Sequence, residues 1–301
     1  MNRKITLSLV TLLLSLPLGA QQPSPDWIAA SNVYTNMLLA VEMKHRPELG
    51  SNQGLSQYDT DVSQPTLADE DQERREAEGV LSKLKGAMGL QKQKEVTQDL
   101  EIVIRKIELQ FREDDFDRAH RVDFLNASQN VFSGLRILLD EQTPSERRPA
   151  AVVRIRKYAG LEPGYKPLTE ILKQRVMEQM AKPGVVYPAR TEIETELARN
   201  SNYIEGIATL LQKYKLTGWQ EPYETLKSQL ADYDVWTKAN VLPKARSDFR
   251  VPPEEYALRL EDYGIDIPPA QLAAMAHQMF TDLQAEMKPI AEQIAKERHL
   301  P

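Results

Sequence analysis

Four histidines, His45, His120, His277 and His299, carry the side chains of this sequence best suited to zinc binding or proton transfer. No two of them are three or four residues apart, so no helix could offer two imidazoles to one metal ion. The H-E-x-x-H pattern of zinc peptidases does not occur. We expect His277 to be a hydrogen-bonded, partly buried residue at the edge of a helix face. His120 and His299 are expected to face solvent.

Acidic side chains are the second source of chemistry. The run Glu113-Asp114-Asp115-Phe116-Asp117 could offer oxygen ligands to a divalent cation, but it lacks the spacing and the glycine of a calcium loop. We interpret it as a solvated helix cap at a corner of the chain. The sequence also has no phosphate-binding loop, dinucleotide fingerprint or G-x-S-x-G nucleophile elbow. The residues by themselves therefore assign no catalytic residue and no metal ligand.

The elements that must position these residues are helices. Apolar residues recur at steps of three and four, and no window shows the alternation of a strand, which predicts an all-α bundle of about ten helices. The first helix should end near Lys44. The turn-rich segment from Pro47 to Pro65 is expected to be non-helical, either a functional loop or a solvated connector. Asn126 is expected in mid-helix, and the run 143–146 is expected to be a capping box.

Two proline pairs, Pro252-Pro253 and Pro268-Pro269, predict the starts of the last two helices, because proline suits the first helical turn. The second of these helices is long and amphipathic, and Pro289 should kink it or end its first segment. Such a helix needs a partner for its apolar stripe. The stripe consists of Leu272, Met275, Met279, Leu283, Met287, Ile290 and Ile294.

Composition excludes several classes of protein. The chain has 301 residues, 41% of them hydrophobic and 27% charged, which is typical of globular proteins. Its net charge of −6 does not favour binding to nucleic acid or to an anionic membrane. The absence of cysteine excludes disulfides and thiolate zinc sites.

The N-terminus has the pattern of a secretory signal peptide. Basic Arg3 and Lys4 precede an uncharged apolar run from Ile5 to Leu18, and Ala20 offers a cleavage point. The run is shorter than the roughly 20 residues of a membrane span, although an uncleaved anchor is the alternative. Residues 1–20 are therefore predicted to be a signal peptide, and the mature protein is predicted to be periplasmic or secreted, with no further membrane contact.

The order of several short motifs resembles a known family. The leader is followed by His45-Arg46-Pro47-Glu48, by Gly54 and Tyr58-Asp59, by a run of amphipathic helices, and by Ser247-Asp248-Phe249-Arg250 with Glu255-Tyr256. This order resembles the N-terminal half of the bacterial family called domain of unknown function 885. The resemblance covers residues from about 26 to 301. It implies an exported, all-helical, zinc-metallopeptidase-like protein.

The resemblance places the zinc site outside this chain. The family's zinc motif resembles H-E-x-x-P-G-H and belongs to the C-terminal half, and no position of this sequence matches it. Residues 21–301 are therefore expected to be the helical N-terminal portion of a larger domain, inactive alone and without a cofactor of its own. Zinc is implied only for the intact protein. Its expected partners are a peptide substrate or the C-terminal half.

Four positions match the family and are implied to line a substrate cleft: Gly54, Tyr58, Asp59 and Tyr256. The alternative is that they only hold the loop and the helix packing. Two alternative functions stay open at this point. One is a non-catalytic helical binding or scaffold protein of the periplasm. The other, which no spacing favours, is a zinc-independent hydrolase using Glu254 or Glu255.

Overall fold

The computed structural model describes residues 26–299, and the predicted signal peptide lies outside the described residues. Within that range the chain forms eleven α-helices and no strand, which confirms the predicted all-α fold. The helices are α1 (Asp26–His45), α2 (Pro47–Asn52), α3 (Leu67–Met88), α4 (Lys94–His120), α5 (Ala127–Arg136), α6 (Ala150–Tyr158), α7 (Leu168–Met180), α8 (Arg190–Lys213), α9 (Gln220–Asn240), α10 (Pro253–Asp262) and α11 (Pro269–Glu297).

Local signals account for several helix ends. The Thr66 hydroxyl accepts a hydrogen bond from the backbone N–H of Asp69 at 3.1 Å, so it caps the start of α3. The two proline pairs begin α10 and α11, as predicted. Gly264 follows α10 with a φ of +69°, a conformation that costs glycine little.

Four local predictions are wrong. Residues Pro47–Asn52 form the short helix α2 instead of an irregular loop. The acidic run from Glu113 to Asp117 lies inside α4, which continues to His120, and not at a corner. Asn126 is the N-cap of α5, since its side chain accepts from the Gln129 N–H at 3.1 Å. The run 143–146 is no capping box, because the Thr143 hydroxyl donates to the Ile137 carbonyl and α6 begins only at Ala150.

Three apolar clusters hold the helices together. The largest joins α5, α6, α7, α8 and α9, and a second lies between α1, α3 and α4. The third packs the segment after α4 against α7, α8 and the end of α9. The fully buried members of the largest cluster include Val131, Leu135, Leu138, Leu139, Ala151, Ile155, Leu172, Leu211 and Leu226. The second is built on Val80, Leu84, Val96, Leu100, Ile104 and Ile107.

The last two helices differ in how they are held. Ion pairs from Lys106 to Asp262 and from Arg112 to Glu261, both at 2.6 Å, attach α10 to α4. No residue of α11 is buried, and α11 does not belong to the helix pairs that pack extensively. It continues through Pro289, so an end there is wrong. Its apolar stripe is uncovered: Met279 is 69% exposed and Leu283 54%.

No helix within residues 26–299 combines the length and the apolar character that a membrane crossing requires.

Candidate functional site

The segment between α1 and α3 carries three of the four residues predicted to line a cleft. Asp59, the most buried of them, is 4% exposed. Its carboxylate accepts a hydrogen bond from the Ser51 hydroxyl at 2.7 Å and two from the Arg147 guanidinium, at 2.6 and 2.8 Å. Arg147 also donates to the Ser51 carbonyl at 2.8 Å. These hydrogen bonds from Arg147 attach the segment between α1 and α3 to the turn that precedes α6.

The charge of Asp59 is stabilised by these contacts. Burial by itself raises the pKa of the carboxyl, but hydrogen bonds from Arg147 and Ser51, together with the positive charge of Arg147, outweigh it. The pKa of Asp59 therefore lies below its ordinary value. The group is an ionised anchor near neutral pH with both oxygens engaged, which does not suit it to proton transfer.

Tyr58 and Gly54 occupy different surroundings. The Tyr58 ring lies so close to Gly50 of α2 that a Cβ on Gly50 would be 2.4 Å from the ring. The Tyr58 carbonyl accepts a hydrogen bond from Arg154 at 3.1 Å. Gly54 is exposed, with a φ of +86°, and its role is to turn the chain after α2.

The substitution Gly50→Ala is expected to lower the free energy of unfolding by about 1–3 kcal/mol, because the new methyl group overlaps the Tyr58 ring. Chemical denaturation of the full chain measures this change. Gly79→Ala is the matched control: Gly79 also lies in a helix, α3, but has no atom within 4 Å of an added Cβ. An unchanged or raised stability of Gly50→Ala would show that the close packing of Tyr58 against α2 is wrong.

A buried histidine that the sequence reasoning did not select lies at the end of α1. The His45 side chain is 3% exposed, and its Nδ1 is 2.8 Å from a carboxylate oxygen of Asp69. Its Nε2 makes no hydrogen bond, although a Glu76 oxygen lies 3.5 Å away. The two acids are far from His45 in sequence, so spacing alone could not reveal the group. Thr66, a residue type that favours the N-cap position, is the signal that the sequence offers, since a cap there places Asp69 in the first turn of α3.

Two cavities adjoin His45 and Asp69. The first, a cleft of about 330 Å³, lies between α1, α3, α4 and α7, and we call it the α1–α4 cleft. The second is an open cavity of about 430 Å³ whose lining includes Tyr58, Asp61 and Tyr165. Sites for small ligands are commonly of this size or larger.

The four predicted site residues do not meet in one cleft. Tyr58 lines the open cavity, whereas Asp59 is buried behind Arg147. Gly54 lines neither cavity, and Tyr256 stands on α10, 39% exposed. Their contact with a substrate stays a prediction.

Three residues of the acidic run, Asp114, Asp115 and Asp117, also line the α1–α4 cleft, whereas the other three histidines do not. Asp115 of the acidic run bonds to Arg74 at 3.2 Å, and burial raises the pKa of Glu113 and of Asp117. His120 and His299 are exposed as expected, but His277 is also exposed, and its expected partial burial is wrong. It has no cover because α11 itself has none.

The residues that the structure describes do not form a site that fits zinc. Within residues 26–299, no three His, Asp or Glu side chains are placed to share a metal ion. His45 is engaged by Asp69, and Glu76 is paired with Lys44 at 2.6 Å. Glu255, considered above as a hydrolytic carboxylate, is 6% exposed and lies between Arg121 and Arg259. We therefore assign no zinc ligand and no catalytic step to these residues.

Comparison with known proteins identifies the family. No curated protein and no solved structure matches the chain. The family described as bacterial protein of unknown function (DUF885) matches residues 47–300, which is most of the chain and includes every helix from α2 to α11. The predicted family is thus confirmed, and the chain belongs to this bacterial family.

Proposed function

We propose that this chain is the helical, non-catalytic part of an exported zinc-metallopeptidase-like hydrolase. In this proposal the zinc ligands lie on another stretch of polypeptide, which packs against α11. Family membership supports the proposal, as does the leader-like pattern at residues 1–20. The peptidase role rests on the resemblance.

The uncovered stripe of α11 is the observation that carries the proposal. From Leu272 to Ile294 it runs for roughly 33 Å at about 1.5 Å per residue, and its side chains from Met275 onward are exposed while Leu272 is half-buried. Exposed apolar surface of this extent is unfavourable, since burying apolar surface lowers the free energy by about 25 cal/mol per Å². A partner that covers the stripe would therefore bind through it.

In this proposal, this chain and the zinc-carrying polypeptide have different roles because they carry different chemical groups. This chain supplies a rigid helical wall and clefts, and a peptide substrate is the proposed ligand. Zinc in the other part would supply an activated water and a Lewis acid. None of the described residues is placed in that step.

The test combines the mature chain with a polypeptide that carries H-E-x-x-P-G-H. We expect stoichiometric zinc, measured by plasma mass spectrometry, and hydrolysis of a quenched fluorescent peptide only when both are present. Leu283→Glu places a charge on the stripe and should abolish association, while the melting temperature of the isolated chain stays unchanged because Leu283 is exposed. Gln284→Glu adds the same charge one residue away, off the stripe, and should leave association intact.

Two results would overturn the proposal. If the chain alone bound zinc and hydrolysed peptide, the ligands would lie among its own residues. If the complex formed but showed neither zinc nor hydrolysis, the non-catalytic binding or scaffold function would be favoured.

A further inference from the structure

The sulfur chemistry of this chain rests on methionine. The sequence contains nine methionines and no cysteine, so no thiol competes with the thioethers for an oxidant. Methionine is converted to its sulfoxide by oxidants that deliver one oxygen atom, such as hydroperoxides, and susceptibility rises with exposure. The exposed fraction of each methionine therefore determines where such an oxidant acts.

The exposed methionines are concentrated on α11. Of the eight methionines within residues 26–299, four are half-buried, and three of these pack against the second and third apolar clusters. The other four are Met279, 69% exposed, Met287, 57%, Met177 of α7, 52%, and Met275, 43%. Three of these four belong to the apolar stripe of α11 and make up three of its seven members.

The three stripe methionines are placed where a polar atom would matter most. Met279 and Met287 lie four residues before and after Leu283, which is one helical turn of about 5.4 Å on each side. Met275 lies one turn further towards the start of the helix. A sulfoxide is a polar acceptor, and covering it with an apolar surface leaves its oxygen without a donor. Oxidation therefore interrupts the apolar surface through which α11 would meet a partner.

We propose that Met275, Met279 and Met287 are a site of reversible oxidation by hydroperoxides, and that their sulfoxides prevent the stripe from binding its partner. In each step the thioether sulfur attacks one oxygen of the peroxide, so that a sulfur–oxygen bond forms and the oxygen–oxygen bond breaks. Sulfur loses two electrons and the peroxide gains them, and with hydrogen peroxide the second oxygen leaves as water. Methionine sulfoxide reductases reverse the change. The effect on binding rests on the proposed function, whereas the site of oxidation does not.

The fold itself should tolerate this oxidation. No residue of α11 is buried, and α11 contributes to none of the three apolar clusters, so the sulfoxides enter no core. A partner on the stripe would exclude solvent from the same three side chains and should protect them. Oxidation is thus expected to act on the unbound chain and to leave its melting temperature unchanged.

The first test maps sulfoxide formation in the mature chain by peptide mass spectrometry during treatment with hydrogen peroxide. We expect Met279 and Met287 to react at least about threefold faster than the half-buried Met88 and Met180. Met177 serves as the reference for an exposed methionine outside the stripe. Equal rates at the exposed and the half-buried methionines would overturn the proposed site.

The second test measures the apolar surface without zinc or a second polypeptide. Sulfate salts strengthen the binding of exposed apolar surface to a phenyl column. The oxidised chain should elute earlier than the untreated chain, and methionine sulfoxide reductase should restore its retention. The triple variant Met275→Leu, Met279→Leu and Met287→Leu keeps an apolar stripe that cannot be oxidised, so its retention should not respond to peroxide. Met177→Leu is the matched control and should respond like the unchanged chain.

Association with the polypeptide that carries H-E-x-x-P-G-H gives the third readout. Oxidation should weaken it at least about tenfold in the unchanged chain and should leave it unaltered in the triple variant. Unchanged retention after sulfoxide formation, equal responses of the triple variant and the unchanged chain, or undiminished association of the oxidised chain would each overturn the proposal. Absence of association even before oxidation would contradict the proposed function instead, and retention would still decide whether the stripe is the oxidation site.

Discussion

Replacement of Arg154 by leucine is expected to lower the free energy of unfolding by about 2–6 kcal/mol, because one buried and one partly buried carbonyl lose their donor and an unsatisfied carbonyl costs roughly 1–3 kcal/mol. Arg154 has no exposed surface, and its guanidinium donates to the carbonyls of Gly134 and Tyr58. It thereby joins α5, α6 and the segment after α2. A total stability of about 5–15 kcal/mol is typical of a domain, so the loss would be a large fraction.

Urea denaturation followed by circular dichroism measures this change. Arg156→Leu is the matched control, because Arg156 lies on the same helix with a side chain 39% exposed and paired to Glu162. That substitution should cost less than about 1 kcal/mol, as exposed ion pairs do. Equal effects of the two substitutions would contradict the anchoring role of Arg154.

Replacement of Asp59 by alanine is expected to cost about 3–5 kcal/mol near neutral pH, because Arg147 would keep a charge with no partner in a mostly buried place. The Arg147 side chain is 13% exposed and that of Asp59 6%. The same change at Asp232, exposed on α9, should alter stability by less than about 0.5 kcal/mol. Urea denaturation compares both variants with the unchanged chain.

The cost of losing Asp59 should depend on pH in a definite direction. The pKa of Asp59 is lower in the folded chain than in the unfolded one, where it is about 3.9, so the folded state holds its proton less tightly. The stabilisation is therefore complete above about pH 5 and is lost as pH falls through the lowered folded value. The difference between the unchanged chain and Asp59→Ala should be constant from about pH 5 to 8 and narrow below about pH 4. A difference that grew in acid would contradict this linkage.

Local chemistry allowed much of the fold to be predicted. Thr66 and the proline pairs determine helix starts through atoms within a few residues, so one stretch of sequence contains the whole signal. Helix α2 could not be predicted in this way, because Gly50 and Asn52 are poor helix formers. It is held by distant contacts, among them the bonds of Arg147 to Ser51. The acidic run was misplaced because its negative charge was treated as a helix end, although no residue there stops α4.

The site was only partly accessible from sequence, for a similar reason. The family resemblance selected Asp59, but its partner Arg147 is 88 residues away, and nothing in the spacing links them. His45 and Asp69 are 24 residues apart, on helices whose pairing depends on the packing of α1 against α3. Single residues with special chemistry can be selected from a sequence, whereas the contacts between them are set by tertiary packing.

Helix α11 contributes no residue to any of the three apolar clusters. Amino-acid changes along its stripe therefore carry little penalty for the folding of the other helices, in contrast to changes at Leu135 or Ile155. If a partner covers the stripe as proposed, natural variation at these positions is constrained by the surface of that partner alone. The stripe would then diverge between related proteins in step with that surface, while the architecture of the helices before it is preserved.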